Sequence, residues 1–253
     1  MFINNRLKKV GDLVDTNSSF LDIGCDHAFL DIYLARKKDK TFSKIVASDN
    51  KQGPLDQAKK NITTYQLQQK IELRLGNGLD VYTNDIDTVI ISGMGGRNMI
   101  GIIKEHLEYL KTIKTFILSP NNYQSDVKKF LVQKGYKIED EYLVKEGKII
   151  YQIIKFIKKK SKYTKKEYFF GPILLTKKND LFNEYYYKEL KSREILLQLL
   201  PKNYYLKKFK LQKEIKLIKS ELKENAWFYS DFFLFVFIKW IDYYYFNILK
   251  ATP

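Results

Sequence analysis

Ser19-Phe20-Leu21-Asp22-Ile23-Gly24-Cys25-Asp26-His27-Ala28 is a short apolar run that meets a glycine and passes directly into an amphipathic stretch. A buried strand, a glycine where it leaves the sheet and a helix start form the opening unit of an open α/β fold. The cadence recurs outward from that unit. Apolar runs at Lys44–Asp49, Ile71–Leu75, Thr88–Ser92 and Thr115–Ser119 alternate with helical stretches near 27–37, 54–66, 96–110 and 123–134. This alternation predicts a parallel sheet with helices on both faces. Two further β-like runs, 136–144 and 148–157, flank Lys145-Glu146-Gly147 and predict an antiparallel hairpin closing one edge. A helix near 4–15 precedes the first strand.

At Lys158-Lys159-Lys160 the pattern changes. Residues 161–253 contain few β-branched runs and read as helical. Phe182, Tyr186, Leu190 and Leu197, then Leu211, Ile215, Ile218 and Leu222, recur at seam spacing on either side of Pro201. The expectation is two domains: residues 1–160, a Rossmann-like α/β domain, and 161–253, a helical hairpin or coiled coil with an aromatic tail at 226–253.

The 253 residues carry 45 Lys+Arg against 29 Asp+Glu, a formal charge of +16. An excess of this size favours a polyanionic partner. A single cysteine excludes an internal disulfide, and with two histidines it argues against a structural zinc site. No metal is expected. The first twenty residues lack a long apolar core and carry Asp12 and Asp15. The longest apolar run, 232–238, is far shorter than the roughly 20 residues a spanning helix needs. The expectation is a cytoplasmic protein without membrane contact, a monomer, whose tail packs as a C-terminal helix.

In open parallel sheets the ligand lies beyond the carboxyl ends of the strands, so the loops there carry the chemistry. The first, Gly24-Cys25-Asp26-His27-Ala28, is not the dinucleotide fingerprint G-x-G-x-x-G: Asp26 and Ala28 hold the second and third glycine positions. A carboxylate there disfavours a pyrophosphate, hence NAD or FAD, and suits a cofactor with a positive centre. Asp26 is equally placed to cap a helix starting at His27. The second loop begins with Asp49-Asn50, near the spacing at which an acid accepts from ribose hydroxyls. The third, Gly76-Asn77-Gly78, offers an amide in a tight turn. The fourth, Gly93-Met94-Gly95-Gly96, leaves backbone open to a ligand. In the fifth, Pro120 fixes the backbone and Asn121 presents an amide at the sheet edge. Five such loops in series describe a nucleoside-type cofactor lying across the top of the sheet.

Residues 6–175 resemble the bacterial tRNA adenine-22 N1-methyltransferases. The segments that carry the likeness are Arg6-Leu7, Asp22-Ile23-Gly24-Cys25-Asp26-His27-Ala28, Asp49 with Gly53-Pro54, Arg74-Leu75-Gly76-Asn77-Gly78-Leu79, Gly93-Met94-Gly95-Gly96, Pro120-Asn121 and Gly171-Pro172. The resemblance implies a class I methyltransferase domain with a mostly parallel seven-stranded sheet and a C-terminal helical coiled-coil domain. It implies S-adenosylmethionine as methyl donor, S-adenosylhomocysteine as product, and tRNA as substrate.

By the same resemblance, Gly24 would lie under the methionine end of the cofactor, Cys25 would also bind the cofactor, and His27 with Arg6 would border the methyl-donor pocket. Asp49 and Asn50 would hold the ribose, Asn77 and Gly78 the adenine, and Gly93 and Met94 the methyl-donor pocket. Asp26 and Asn121 would be catalytic. Arg6, Arg97, Lys158, Lys159 and Lys160 would meet the RNA. The sequence departs from the family at Asn77, where an acid is usual, and at Cys25, where serine is usual; an amide at 77 can still read an adenine edge. Two other readings compete: a methyltransferase of another RNA, and a non-catalytic RNA-binding protein on a degenerate methyltransferase scaffold.

Overall fold

A computed structural model of the chain describes residues 3–222. The expectation for the aromatic tail falls on residues outside that range. Seven strands form one sheet in the order β3-β2-β1-β4-β5-β7-β6. They are β1 (Ser19–Ile23), β2 (Lys44–Asp49), β3 (Ile71–Leu75), β4 (Thr88–Ser92), β5 (Thr115–Ser119), β6 (Tyr136–Glu146) and β7 (Ile149–Lys158). The first five are mutually parallel, β7 runs antiparallel to β5, and β6 runs antiparallel to β7. The strand order reverses between β1 and β4, which makes their shared edge the switch point where an open α/β sheet receives its ligand.

The helices of this unit are α1 (Asn5–Asp12), α2 (Phe29–Ala35), α3 (Gln52–Thr64), α4 (Gly96–Lys104), α5 (Gln124–Gln133), α6 (Lys165–Phe170) and α7 (Pro172–Lys177). Asn4 starts α1 by accepting from the Leu7 N–H at 2.8 Å. Side chains of alternate parity leave the central strands toward two apolar layers, with Leu21, Val89, Ile91 and Phe116 in one and Phe20, Ile90 and Ile117 in the other. Burial on both faces is what near-continuous apolar strands dictate. The stretch expected to be helical over 96–110 breaks after Lys104. There the His106 ring pairs with Asp80 at 2.8 Å and stacks on Tyr109, and a 3₁₀ turn follows at Leu107–Lys111.

The first compact unit runs to Lys178, past the boundary at 160 expected from composition, because α6 and α7 pack on α5 and β6. The second begins at Asn179 and holds α8 (Asp180–Leu199) and α9 (Tyr205–Lys219), joined through Pro201. Phe182, Tyr186 and Leu190 of α8 are buried, as are Leu211 and Ile218 of α9. Leu197, Ile215 and Leu222 are half-buried. Arg193 pairs with Glu214 at 2.8 Å, and Lys219 with Glu194 at 2.8 Å, across the two helices. The described residues of this second unit form a two-helix hairpin. The 15 residues of α9 hold about two heptads, short of the three to four over which a coiled coil declares itself. Among the described residues no helix is long and apolar enough to cross a membrane. Nor does any group of three or more His, Cys, Asp or Glu side chains among them come together as metal ligands.

Candidate active site

Backbone hydrogen bonds stitch the loops at the carboxyl ends of the parallel strands into one rim. The Gly24 and Cys25 N–H groups both donate to the Ser48 carbonyl at 2.9 Å. Gly76 donates to the Asp49 carbonyl at 3.0 Å, and Gly93 to the Ser119 carbonyl at 3.1 Å. Gly24 has φ +74°, and a Cβ there would run into the Met94 methyl group, so the first and fourth loops meet at this point. Asp49 is half-buried and its Oδ1 accepts from the Lys51 N–H at 3.1 Å, while Asn50 and Asn77 are exposed on the rim and Gly78 is buried.

Asp26 does not cap a helix. It has φ +52°, its side chain is 71% exposed, and its Oδ1 lies 3.6 Å from His27 Nε2. Helix α2 begins at Phe29, after Ala28 at φ +56°. Two left-handed residues turn the chain before the helix starts, so the carboxylate faces solvent over the loop instead of the helix N–H groups. Non-glycine residues in this region cost about 1–3 kcal/mol each and persist where surrounding structure enforces them. Part of that enforcement is Asn61 of α3, whose Nδ2 donates to the His27 carbonyl at 2.9 Å.

The fourth and fifth loops interlock. Asn121 Nδ2 donates to the Gly93 carbonyl at 2.6 Å and the Asn121 N–H to the Met94 carbonyl at 2.9 Å. Asn122 Oδ1 accepts from the Gly96 N–H at 3.1 Å, which caps α4 from another segment. The Arg6 guanidinium stacks 4.6 Å from the Tyr151 ring centroid and lies against Gly93. The Arg97 guanidinium sits 4.2 Å from the Tyr123 ring centroid. Asp26, His27, Asp49, Asn77, Gly93, Met94 and Asn121 therefore all lie on loops of one edge. Lys158, Lys159 and Lys160 do not. β7 runs antiparallel to β5, Thr115 pairs with Ile157, and Lys158 donates to the Lys114 carbonyl at 2.8 Å. The three lysines thus leave the sheet at the end opposite the cofactor loops.

Two carboxylates escaped the sequence reading. Asp22, at the end of β1, and Asp31, in α2, are both buried, and neither Asp31 oxygen is hydrogen-bonded to another residue. Burial, then the Asp49 carboxylate, pushes Asp22 up to about 7. Burial, then Asp22, holds Asp31 well above the usual carboxylate range, with its own backbone hydrogen bond pulling the other way. Burial first and then Asp31, Asp22, Asp49 and Asp26 push the Cys25 thiol up, away from the thiolate form that a nucleophile needs. In sequence, an acid within an apolar run and an acid in an amphipathic helix carry no mark of this burial.

The pH consequence follows from linkage. A raised acid binds its proton more tightly in the folded state. The stability it contributes is therefore complete below about pH 4 and is lost as pH rises through about 7. The thermal midpoint of the ligand-free protein should fall between about pH 5 and 8, and Asp22→Asn should flatten that fall and exceed the parent at pH 8. Differential scanning calorimetry at both pH values checks this; an unchanged slope would rule the carboxyl out as its source.

Four similarities to known proteins bear on what this rim does. A profile of the family described as tRNA (adenine(22)-N(1))-methyltransferase, TrmK, matches residues 20–220. The tRNA (adenine(22)-N(1))-methyltransferase of Bacillus subtilis strain 168 is 28% identical over 153 residues, which are 60% of this chain and 63% of that one. The chain thus spans less than two thirds of that relative. A Streptococcus pneumoniae putative tRNA (m1A22) methyltransferase, solved in complex with S-adenosyl-L-methionine, superposes with a TM-score of 0.80 at 30% identity, covering 88% of this chain and 100% of that one. M. capricolum TrmK, solved with S-adenosyl-homocysteine, superposes at 0.76 and 28% identity, covering 87% and 97%. With the profile matched over most of its length, with this sheet and with this rim, the chain belongs to the tRNA (adenine(22)-N(1))-methyltransferase family.

Proposed function

We propose that the protein moves a methyl group from S-adenosylmethionine to N1 of adenine 22 in tRNA. The observation that carries the reading is the meeting of Gly24 and Met94 at the switch point, with Asn121 bonded to the same loop as Met94, in a chain of this family. The residues suit the cofactor. Asp22 and Asp31 are buried carboxylates around Cys25, and Asp31 lacks a partner, which fits a ligand bearing a sulfonium and an ammonium. In this reading Asp49 holds the ribose hydroxyls and Asn77 reads an adenine edge.

When bound, the cofactor supplies an activated methyl group, so the protein's task is alignment. Adenine N1 attacks with its own lone pair, so no side chain has to remove a proton. Arg6, stacked on Tyr151 against Gly93, borders the pocket and meets RNA. Asp26 steadies the positive charge that develops on the methylated base. Because its carboxylate is 71% exposed, water takes over part of that task when it is removed. Asp26→Ala should therefore lower single-turnover methyl transfer by about ten- to a hundredfold, with cofactor affinity changed by no more than a few-fold. A variant as fast as the parent would eliminate Asp26 from the reaction.

The target N1 is hidden in a stacked tRNA core, so the base has to be flipped out. On the hairpin unit, Lys207, Lys208 and Lys210 interleave with exposed Tyr205, Leu206 and Phe209, a pattern suited to phosphates and unpaired bases. Affinity for tRNA should drop more than tenfold between about 50 and about 200 mM salt, and Lys207→Glu/Lys208→Glu should weaken binding while shrinking the salt slope. Filter binding reads both; a slope identical to the parent's would move the contact elsewhere.

The test of the reading is methyl transfer from labelled S-adenosylmethionine to two unmodified tRNA transcripts that differ only in adenine or guanine at position 22. Labelling of the adenine transcript alone supports it. Equal labelling of both would move the target to another site.

A further inference from the structure

The fifth loop holds more than an amide at a sheet edge. Asn121 has its Nδ2 committed to the Gly93 carbonyl at 2.6 Å and its backbone N–H to the Met94 carbonyl at 2.9 Å. A flipped amide would set Oδ1 against the Gly93 oxygen, two acceptors face to face, so the orientation is fixed by chemistry. The outward atom of this exposed side chain is therefore Oδ1, and nothing among the described residues donates to it. Two residues on, Tyr123 is 43% exposed and has φ +53°. It is kept in that left-handed conformation by Asn122, which accepts from Gly96, and by the bare Cα of Gly96, where a Cβ would sit 3.2 Å from Tyr123 Cβ. Arg97 covers part of its ring at 4.2 Å. In a chain with 40 lysines and five arginines, this contact uses the planar cation that stacks on an aromatic face.

We propose that Asn121 and Tyr123 form the seat that selects adenine as the target base, with Asn121 Oδ1 accepting from the 6-amino group and the Tyr123 ring stacking on the purine. The seat adjoins the methyl-donor pocket because Asn121 is bonded to Gly93 and Met94, and Met94 lies over Gly24. Adenine presents a 6-amino donor beside N1. Guanine presents a carbonyl at that position and an N1 proton, so it meets an acceptor with an acceptor. A site built to bind an amino group rejects the analogue that lacks it, because its polar atom is left unpaired. Stacking on an aromatic ring is how extruded bases are commonly held. This role rests on the proposed adenine-N1 transfer and makes Asn121 and Tyr123 specificity residues of that same site.

The test uses the full chain and tRNA carrying either adenine or purine, which lacks the 6-amino group but keeps N1, at the target position. The parent should methylate the purine tRNA with a kcat/KM at least about tenfold lower than the adenine tRNA. Asn121→Ala should bring the two within about twofold of each other by losing activity on adenine. Tyr123→Ala should lose about tenfold on both, and Tyr123→Phe should restore it. Calorimetric titration with S-adenosylmethionine accompanies each variant, and affinity within about twofold of the parent shows the donor pocket to be intact. If Asn121→Ala keeps the parent's preference for adenine over purine, or Tyr123→Ala is as active as the parent, the seat is overturned while methyl transfer stands. If the parent leaves the adenine tRNA unlabelled, the transfer reading fails and takes the seat with it.

Discussion

Gly96→Ala should leave a folded protein that binds S-adenosylmethionine yet transfers methyl groups at least about 100-fold more slowly than the parent. The argument is steric and local. A Cβ on Gly96 would lie 2.5 Å from the Asn122 carbonyl oxygen, 2.9 Å from Val127 Cγ2 and 3.2 Å from Tyr123 Cβ. The nearest of these atoms is backbone, so no side-chain rotation relieves the clash, and the segment from Asn121 to Tyr123 has to move. A displacement on the order of 1 Å of a positioning group is enough for a loss of that size. Overpacking of this kind costs about 1–3 kcal/mol, which the fold survives. On the cofactor side, Gly24, Asp49 and Asn77 belong to other loops and are spared, while Gly93 and Met94, bonded to Asn121, shift with it, so cofactor affinity should fall by no more than a few-fold. Gly101 lies in the same helix and has open space where its Cβ would be. Gly101→Ala should be as active as the parent and slightly more stable, by about 0.5–1 kcal/mol. Single-turnover rates at saturating cofactor separate the two variants. A Gly96→Ala rate within threefold of the parent would mean that the interlock does not position the acceptor.

The frame of this unit is readable in the residues because two signals agree. Apolar runs of about five residues end at polar or glycine-rich loops, and amphipathic stretches fill the gaps, so β2 through β5 fall on the runs that predict them. The edge hairpin is legible from its short turn. What cannot be read is direction in space and depth. Lys158, Lys159 and Lys160 look like an extension of the binding surface until β7 is seen to run against β5, which carries them to the far end. Asp26 reads as a cap because helix propensity says nothing of the left-handed turns at Asp26 and Ala28. Nothing in the residues themselves marks Asp22, Asp31, Lys128 and Glu141 as buried, and only the packing of other segments over them makes them so. The Asn121 orientation is of the same kind, since its partner, the Gly93 carbonyl, is supplied by another strand's loop.

The largest loss of stability expected from a single methyl group is at Gly171. This residue joins α6 to α7 at φ +99°, a conformation that costs an alanine about 1–3 kcal/mol. The added Cβ would also fall on the Glu141 carboxylate, 2.6 Å from Cδ and nearer still to both oxygens. That carboxylate has nowhere to go. It is fully buried, its Oε1 faces Lys128 Nζ at 3.1 Å and accepts from Gln152 Nε2 at 3.2 Å, and its Oε2 accepts from the Ile173 N–H at 3.1 Å. Burial pulls the Lys128 ammonium below its usual range, against the attraction of Glu141. Displacing the carboxylate would strand that buried ammonium, and breaking one side of a buried pair costs about 3–5 kcal/mol. Gly171→Ala should therefore destabilise the unit ending at Lys178 by about 4–8 kcal/mol, strain and stranded charge together, and lower its thermal midpoint by at least about 10 °C. The mechanism is separable from backbone strain by a mutant cycle. In a Lys128→Met/Glu141→Ala background the collision and the stranded charge are both gone, so adding Gly171→Ala should cost only about 1–3 kcal/mol. An equal cost in both backgrounds would place the whole effect in the backbone and remove Glu141 as the reason a glycine stands at this junction.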